Sequence, residues 1–306
     1  MRIFRELEPG EAADSSLREE EGQACANLAA VRAIVAWGSA RGGVGKSALL
    51  VNMAAALALA GRKVGIVDAD LNSPSIAAML GVRFGRRAFV TDEIEPVAGP
   101  LGLRIISSEV LPDGEPLVSF SEPDESTTVT QNGAGPCEVG YLATMRRLLS
   151  RSRFGPLDLV LVDLAPGIEH ISRLFKILPQ AKLLLASHPS ELSARAIRPA
   201  VCVASQHPDA VIGVVENMAG FNCDGCHRVR PLLPYGSVAA RAREAGAPLL
   251  ERLPFDPRFA ETCDRGVIFV REYPQTPLAK QIAALAQVVM DKAVEAHPQT
   301  PGVTLA

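Results

Sequence analysis

The sequence predicts an α/β fold, doubly wound around a mostly parallel sheet, and three observations predict it. Six short runs are continuous in Val, Ile and Leu rather than alternating with polar residues: "VRAIVAW" (31–37), "KVGIVD" (63–68), "LRIIS" (103–107), "LDLVLVD" (157–163), "KLLLAS" (182–187) and "AVIGVVE" (210–216). Strands covered on both faces look like this. Helical patterns separate them, near 46–60, 74–80, 139–152, 170–178, 190–206 and 236–246. A repeated strand–helix–strand order builds a parallel sheet with helices on both faces. Finally, 306 residues that are 48% hydrophobic, with a net charge of −3, are enough for one large core.

Taken in order, residues 1–29 are acidic, lack periodicity beyond one short helix, and read as a mobile tail. They have neither the basic start nor the apolar core of a signal peptide. The most apolar run, "ALLVNMAAALALAG", is too short to span a bilayer and contains Asn52. It reads as a helix buried behind the loop before it. Residues 109–136 are polar and rich in Pro, Ser, Thr and Gly, an insertion expected to be disordered. A loop at 218–234 carries two cysteines. Near the C-terminus, Leu278, Ile282, Leu285 and Val289 form one helical stripe, expected to pack against the sheet. The expected organisation is one domain over 30–296 and a tail at 297–306. Without a basic excess or a spanning segment, the expectation is a cytoplasmic protein with no nucleic-acid or membrane partner.

The stretch "WGSARGGVGKSALL" (37–50) carries the first chemistry. A small residue, four variable positions and Gly-Lys-Ser form a P-loop when a strand precedes them and a helix follows, as Ala40, Arg41–Val44 and Gly45-Lys46-Ser47 do here. Glycines let the backbone N–H groups of Gly42, Gly43, Val44, Gly45, Lys46, Ser47 and Ala48 turn around phosphate oxygens. Lys46 adds charge on the outer phosphates, the helix dipole assists, and Ser47 offers a hydroxyl to Mg²⁺. Asp163, at the end of an apolar strand, is the candidate carboxylate for the same ion. Asp68 and Asp70 end the strand at 63–68. One can orient an attacking water, with Asp70 favoured, while the structural alternative is an Asp capping the helix near Pro74.

Of six cysteines only Cys223 and Cys226 are close together, in "GFNCDGCHRVRP". A CxxC can grip a cluster or a zinc ion, form a redox dithiol, or do neither. Two sulfurs do not complete a four-coordinate site, so two subunits or other ligands must share it. Cys25, Cys137 and Cys263 have no assigned role, and Cys202, within "PAVCVA", reads as a small buried hydrophobe.

Together, "SARGGVGKS", "DADLNSPSIAAMLG", "LVLVDLAPG", "GVVENMAGFNCDGC" and "LPFDPRFAETCDRG" resemble, over roughly residues 30–290, the Mrp/ApbC family of ATP-binding iron–sulfur carriers. That family lies within the MinD/ParA-like branch of P-loop NTPases. The resemblance implies ATP and Mg²⁺ at the loop, with Asn217 on the adenine and Pro257 and Arg258 in a loop near the base. It puts Asp70 and Asp163 in the two switches. It also implies a [4Fe–4S] cluster bridging a homodimer through Cys223 and Cys226, and apo iron–sulfur proteins as recipients. Where the branch has a signature lysine reaching the partner's nucleotide, this chain has Arg41, which keeps charge and reach and can act as an arginine finger. The family's "PPGTGD" is "APGIEH" here, ending in His170. ATP binding is therefore expected, with hydrolysis slow at most. The alternatives are a ParA/MinD-type switch with zinc on the CxxC, and an ATPase that binds nucleotide without useful turnover.

Overall fold

A computed structural model describes residues 9–71, 73–83, 93–107, 136–222, 229–232 and 237–295. The 109–136 insertion, apart from its last residue, lies outside these, as does the 297–306 tail. The first elements are α1 (Pro9–Asn27), β1 (Ile34–Gly38), α2 (Lys46–Leu59), β2 (Val64–Ala69), α3 (Ile76–Met79), β3 (Val97–Ala98), β4 (Arg104–Ser107) and α4 (Pro136–Arg151). Next come β5 (Leu159–Leu164), α5 (Ile168–Ile177), β6 (Lys182–Ser187), α6 (Glu191–Arg195), α7 (Ile197–Ala204) and β7 (Val211–Glu216). The chain then forms β8 (Phe221–Asn222), β9 (Val229–Arg230), α8 (Val238–Glu244), β10 (Leu249–Arg252), α9 (Pro257–Asp264), α10 (Phe269–Glu272) and α11 (Pro277–Glu295).

The main sheet runs β10-β7-β6-β1-β5-β2-β4-β3, and every pairing is parallel except β3 with β4. All six expected strands are in it. Both faces are covered, which is why the runs are continuously apolar. Val35 and Trp37 point to a core closed by α2, α10 and α11, while Ile34 and Ala36 point to one closed by α1, α4, α5 and α7. Leu278, Ile282, Leu285 and Val289 are all buried, and α11 lies along α2. Asn52 is fully buried within α2; its amide nitrogen donates to the Ala48 carbonyl and its oxygen accepts from the Val270 N–H of α10.

Three expectations need correction. The segment expected as a mobile tail contains α1, whose end packs on α4: Ala24 and Leu28 are buried, Arg146 pairs with Glu21 at 3.1 Å, and Asn27 donates to the Ser150 carbonyl. The helix expected over 190–206 is two, α6 and α7, meeting at Ala196. Cys202 is exposed rather than buried, because it falls on the outer face of α7 while Ala200, Val201 and Ala204 face inward.

Candidate nucleotide site

The site forms at the carboxyl ends of β1, β2 and β5. Strand register aligns Trp37 with Asp163 and Asp68 with Asp163, so the loop leaving β1 runs beside both carboxylates. Helices leave the sheet in opposite directions around β1, and ligands of such sheets sit in that crevice.

Gly43 and Gly45 both have φ near +75°, a region that side chains rarely adopt. At Gly45 a Cβ would also stand 2.5 Å from the Asn217 amide nitrogen. No side chain caps α2 at Gly45, so its first N–H groups point into the loop. Asp163 is fully buried; one carboxylate oxygen meets the Lys46 ammonium and the other accepts from the Ser47 hydroxyl at 2.6 Å. A carboxylate and a hydroxyl side by side are the hard oxygen donors that Mg²⁺ prefers. These residues fit that ion.

Asp68 and Asp70 differ sharply. Asp68 is fully buried, and its carboxylate accepts from the backbone N–H groups of Ser75 (2.9 Å), Ile76 (3.1 Å) and Asp70 (3.3 Å). It therefore caps the start of α3. Burial, followed by the neighbouring Asp163 charge, pushes its pKa up to about 7 against the pull of those hydrogen bonds. Asp70 lies one residue beyond β2, half-buried.

Asn217 follows β7 and is buried, its amide donating to the Val44 carbonyl of the loop at 2.9 Å. Arg41 is exposed and shares a groove of about 660 Å³ with Gly42, Gly167, Glu169, His188 and Ser193. Pro257 and Arg258 open α9 rather than lying in a loop, because Asp256 caps that helix and Pro257 stands at its first position. Arg258 grips the Asp256 carboxylate through two nitrogens, at 2.9 and 2.6 Å, and covers the Tyr273 ring at 5.1 Å. That ion pair holds the Asp256 carboxyl below its ordinary range. A cleft of about 390 Å³ lies beside it, lined by Phe221, Phe255, Asp256, Arg258 and Leu278 among others.

Cys223 and Cys226 lie outside the described residues. The hairpin flanking them is described: Phe221 pairs with Arg230 and Asn222 with Val229. It is held to the loop before α9, where the Phe255 N–H donates to the Gly220 carbonyl at 2.6 Å and Phe221 bridges Phe255. Sequence reasoning missed Tyr141 on α4, whose hydroxyl reaches the end of β2. No local pattern around it signals the contact.

A glycine-shaped loop, a helix N-terminus, a buried lysine and a carboxylate–hydroxyl pair define a P-loop nucleotide-binding protein. A family model described as "ParA: NUBPL iron-transfer P-loop NTPase" matches residues 30–290, and the chain belongs to that family. It is 34% identical over 262 residues to an iron–sulfur cluster carrier protein of Saccharolobus solfataricus, covering 85% of this chain and 83% of that one. It is 33% identical over 270 residues to the human cytosolic Fe-S cluster assembly factor NUBP2, covering 87% and 94%. Among solved structures, a nucleotide-binding protein of Archaeoglobus fulgidus in complex with ADP superposes with a TM-score of 0.67 at 27% identity, covering 85% of this chain and 96% of that one. The Pyrococcus horikoshii MinD structure, at 20% identity and a TM-score of 0.57, covers 87% and 98% and shares the fold. Among the described residues, no helix is long and apolar enough to cross a membrane.

Proposed function

We propose that this chain is a cytoplasmic, ATP-binding carrier that holds a [4Fe–4S] cluster as cargo, on Cys223 and Cys226 of two copies in a homodimer, and delivers it to apo iron–sulfur proteins. The observation that carries the reading is the short segment after β7. Asn217 bonds the phosphate loop at Val44, and six residues later the same segment reaches Cys223. Nucleotide and cargo chemistry thus share one stretch of backbone. The carrier and cytosolic assembly-factor names of the relatives support the same reading.

In this reading the N–H groups of Gly42–Ala48 surround the phosphates, and Lys46 moves its charge onto them. Ser47 and Asp163 hold Mg²⁺, which when bound neutralises phosphate charge. Asn217 and the cleft beside Pro257 and Arg258 receive the adenine. Asp70 orients water, since Asp68 is fully buried beneath three backbone N–H groups. Arg41, exposed on the loop, reaches the partner copy's nucleotide. With His170 in place of the family's aspartate, turnover is slow.

The test is iron, sulfide and zinc content after anaerobic purification and reconstitution, in the native chain and in Cys223→Ala and Cys226→Ala. Four thiolates per cluster predict about four iron and four sulfide per two chains, absent from both variants. Zinc instead, with the dimer intact, would overturn the carrier reading in favour of an ATP-dependent switch.

A further inference from the structure

Tyr141 comes from α4, which belongs to neither of the loops that follow the carboxylate-bearing strands β2 and β5. Its hydroxyl donates to the Ala69 carbonyl at 2.6 Å, 72 residues away in sequence. Ala69 is the last residue of β2, one peptide bond before Asp70. The Tyr141 ring itself is contacted by α5. The His170 ring lies 4.4 Å away, tilted by 56°, and the Arg173 guanidinium is 5.4 Å from the ring centroid. His170 and Arg173 are three residues apart and so share one face of α5. Arg173 also approaches the His170 ring nitrogen at 3.4 Å.

We infer that Tyr141 is a positioning residue: it ties the Asp70 loop to the start of α5, so that the two loops flanking the phosphate site hold one relative arrangement. This rests on the reading of Asp70 as the residue that orients water. Tyr141 is only 3% exposed, and burial together with the Asp70 charge raises its phenol pKa. The hydroxyl therefore stays protonated and remains a donor throughout the neutral range. His170 thereby has a role as well. Where the resemblance has an aspartate, this chain presents an aromatic ring to Tyr141, so the departure replaces a carboxylate with a packing contact. Arg173 adds a cation over the same ring. The tether is anchored from outside the site, because α4 is itself fixed to α1 through Arg146 and Glu21.

Tyr141→Phe in the full-length chain tests this, because it keeps the ring contacts with His170 and Arg173 and removes only the hydroxyl. Three readouts are compared: ATP affinity, phosphate release resolved into kcat and KM, and hydrogen exchange at the Asp70 and Leu71 amides. The expected result is ATP affinity and KM within about twofold, kcat lower by about tenfold, in the range that small misplacements cost, and clearly faster exchange at Asp70 and Leu71. In an Asp70→Asn background the substitution should lower kcat no further, whereas a general loss of structure would lower it by the same factor in both backgrounds. His170→Ala, which leaves the hydroxyl and removes the ring contact, should speed the same amides. Unchanged exchange at Asp70 and Leu71 in both variants would overturn the tether. A native chain that releases no phosphate would defeat the hydrolytic role of Asp70 instead, and exchange alone would then decide the tether.

Discussion

Replacing Asp68 by asparagine should abolish a pH dependence of stability that the fold imposes. Asp68 is fully buried, with the Asp163 carboxylate on the adjacent strand, and its pKa rises from an ordinary 3.8 to about 7. Between those values the folded chain holds a proton that the unfolded chain has lost. The folded state binds more protons, so stability falls as pH rises through that window. The contribution is fully present below the unfolded value and is lost as pH passes the folded one. A displacement from 3.8 to about 7 corresponds to about 4 kcal/mol at most. Asparagine keeps an oxygen that can accept from Ser75 and Ile76, and it carries no charge. Urea unfolding of both proteins, free of nucleotide and magnesium, at about pH 5 and about pH 8 measures the difference. The variant should be more stable by about 2–4 kcal/mol at the higher pH, and the gap should shrink by most of that at the lower pH. Parallel stability curves for the two proteins would refute the argument, and so would a native chain that gains on the variant as pH rises.

Two further substitutions probe the frame of the site. Lys46→Ala leaves the fully buried Asp163 carboxylate with Ser47 as its remaining side-chain partner of the two. It should cost about 3–5 kcal/mol in urea unfolding and lower ATP affinity by at least about a hundredfold, by loss of a charged contact in a desolvated site; titration with a fluorescent ATP analogue measures this, and near-native affinity would contradict the assignment. Asn52→Ala removes one hydrogen bond within α2, to the Ala48 carbonyl, and one between α2 and α10, and strands the Val270 N–H in the core. The expected loss is about 2–3 kcal/mol, and a loss under about 1 kcal/mol would mean that another group satisfies Val270.

The strands most easily read from sequence are those whose surroundings leave no freedom. A strand with neighbours on both sides and helices on both faces is apolar through its middle, as β1, β5 and β6 are, with polar residues such as Asp163, Lys182 and Ser187 only at or near the strand ends. β10 escaped the reading because it sits at the sheet edge, where Glu251 and Arg252 can reach water, so its sequence lacks the apolar run. The helix α1 escaped for a related reason. Among its described side chains, Ala24 is buried, Cys25 packs against the same core, and Glu21 and Asn27 make polar contacts with α4, which leaves too few apolar positions to make a periodic stripe. Cys202 shows the limit of composition: an apolar neighbourhood in sequence says nothing about which face of a helix one residue occupies.

The phosphate loop was legible because its backbone needs fixed residue types at fixed offsets. The meeting of Lys46 and Ser47 with Asp163 follows once β1 and β5 are neighbours. Asp68 and Asp70 were harder, since two aspartates separated by one alanine look equivalent on the page. Alternation would put both on one face, and it is the end of β2 at Ala69 that separates them. Asp68 is still within the strand and turns under the first N–H groups of α3, fully buried and accepting from three backbone N–H groups, whereas Asp70 lies past the strand end and is only half-buried. The same residue type two positions apart thus becomes a helix cap in one case and a candidate water-orienting group in the other. Holding the second in place then falls to a tyrosine from a distant helix, a contact that only the folded chain can bring about.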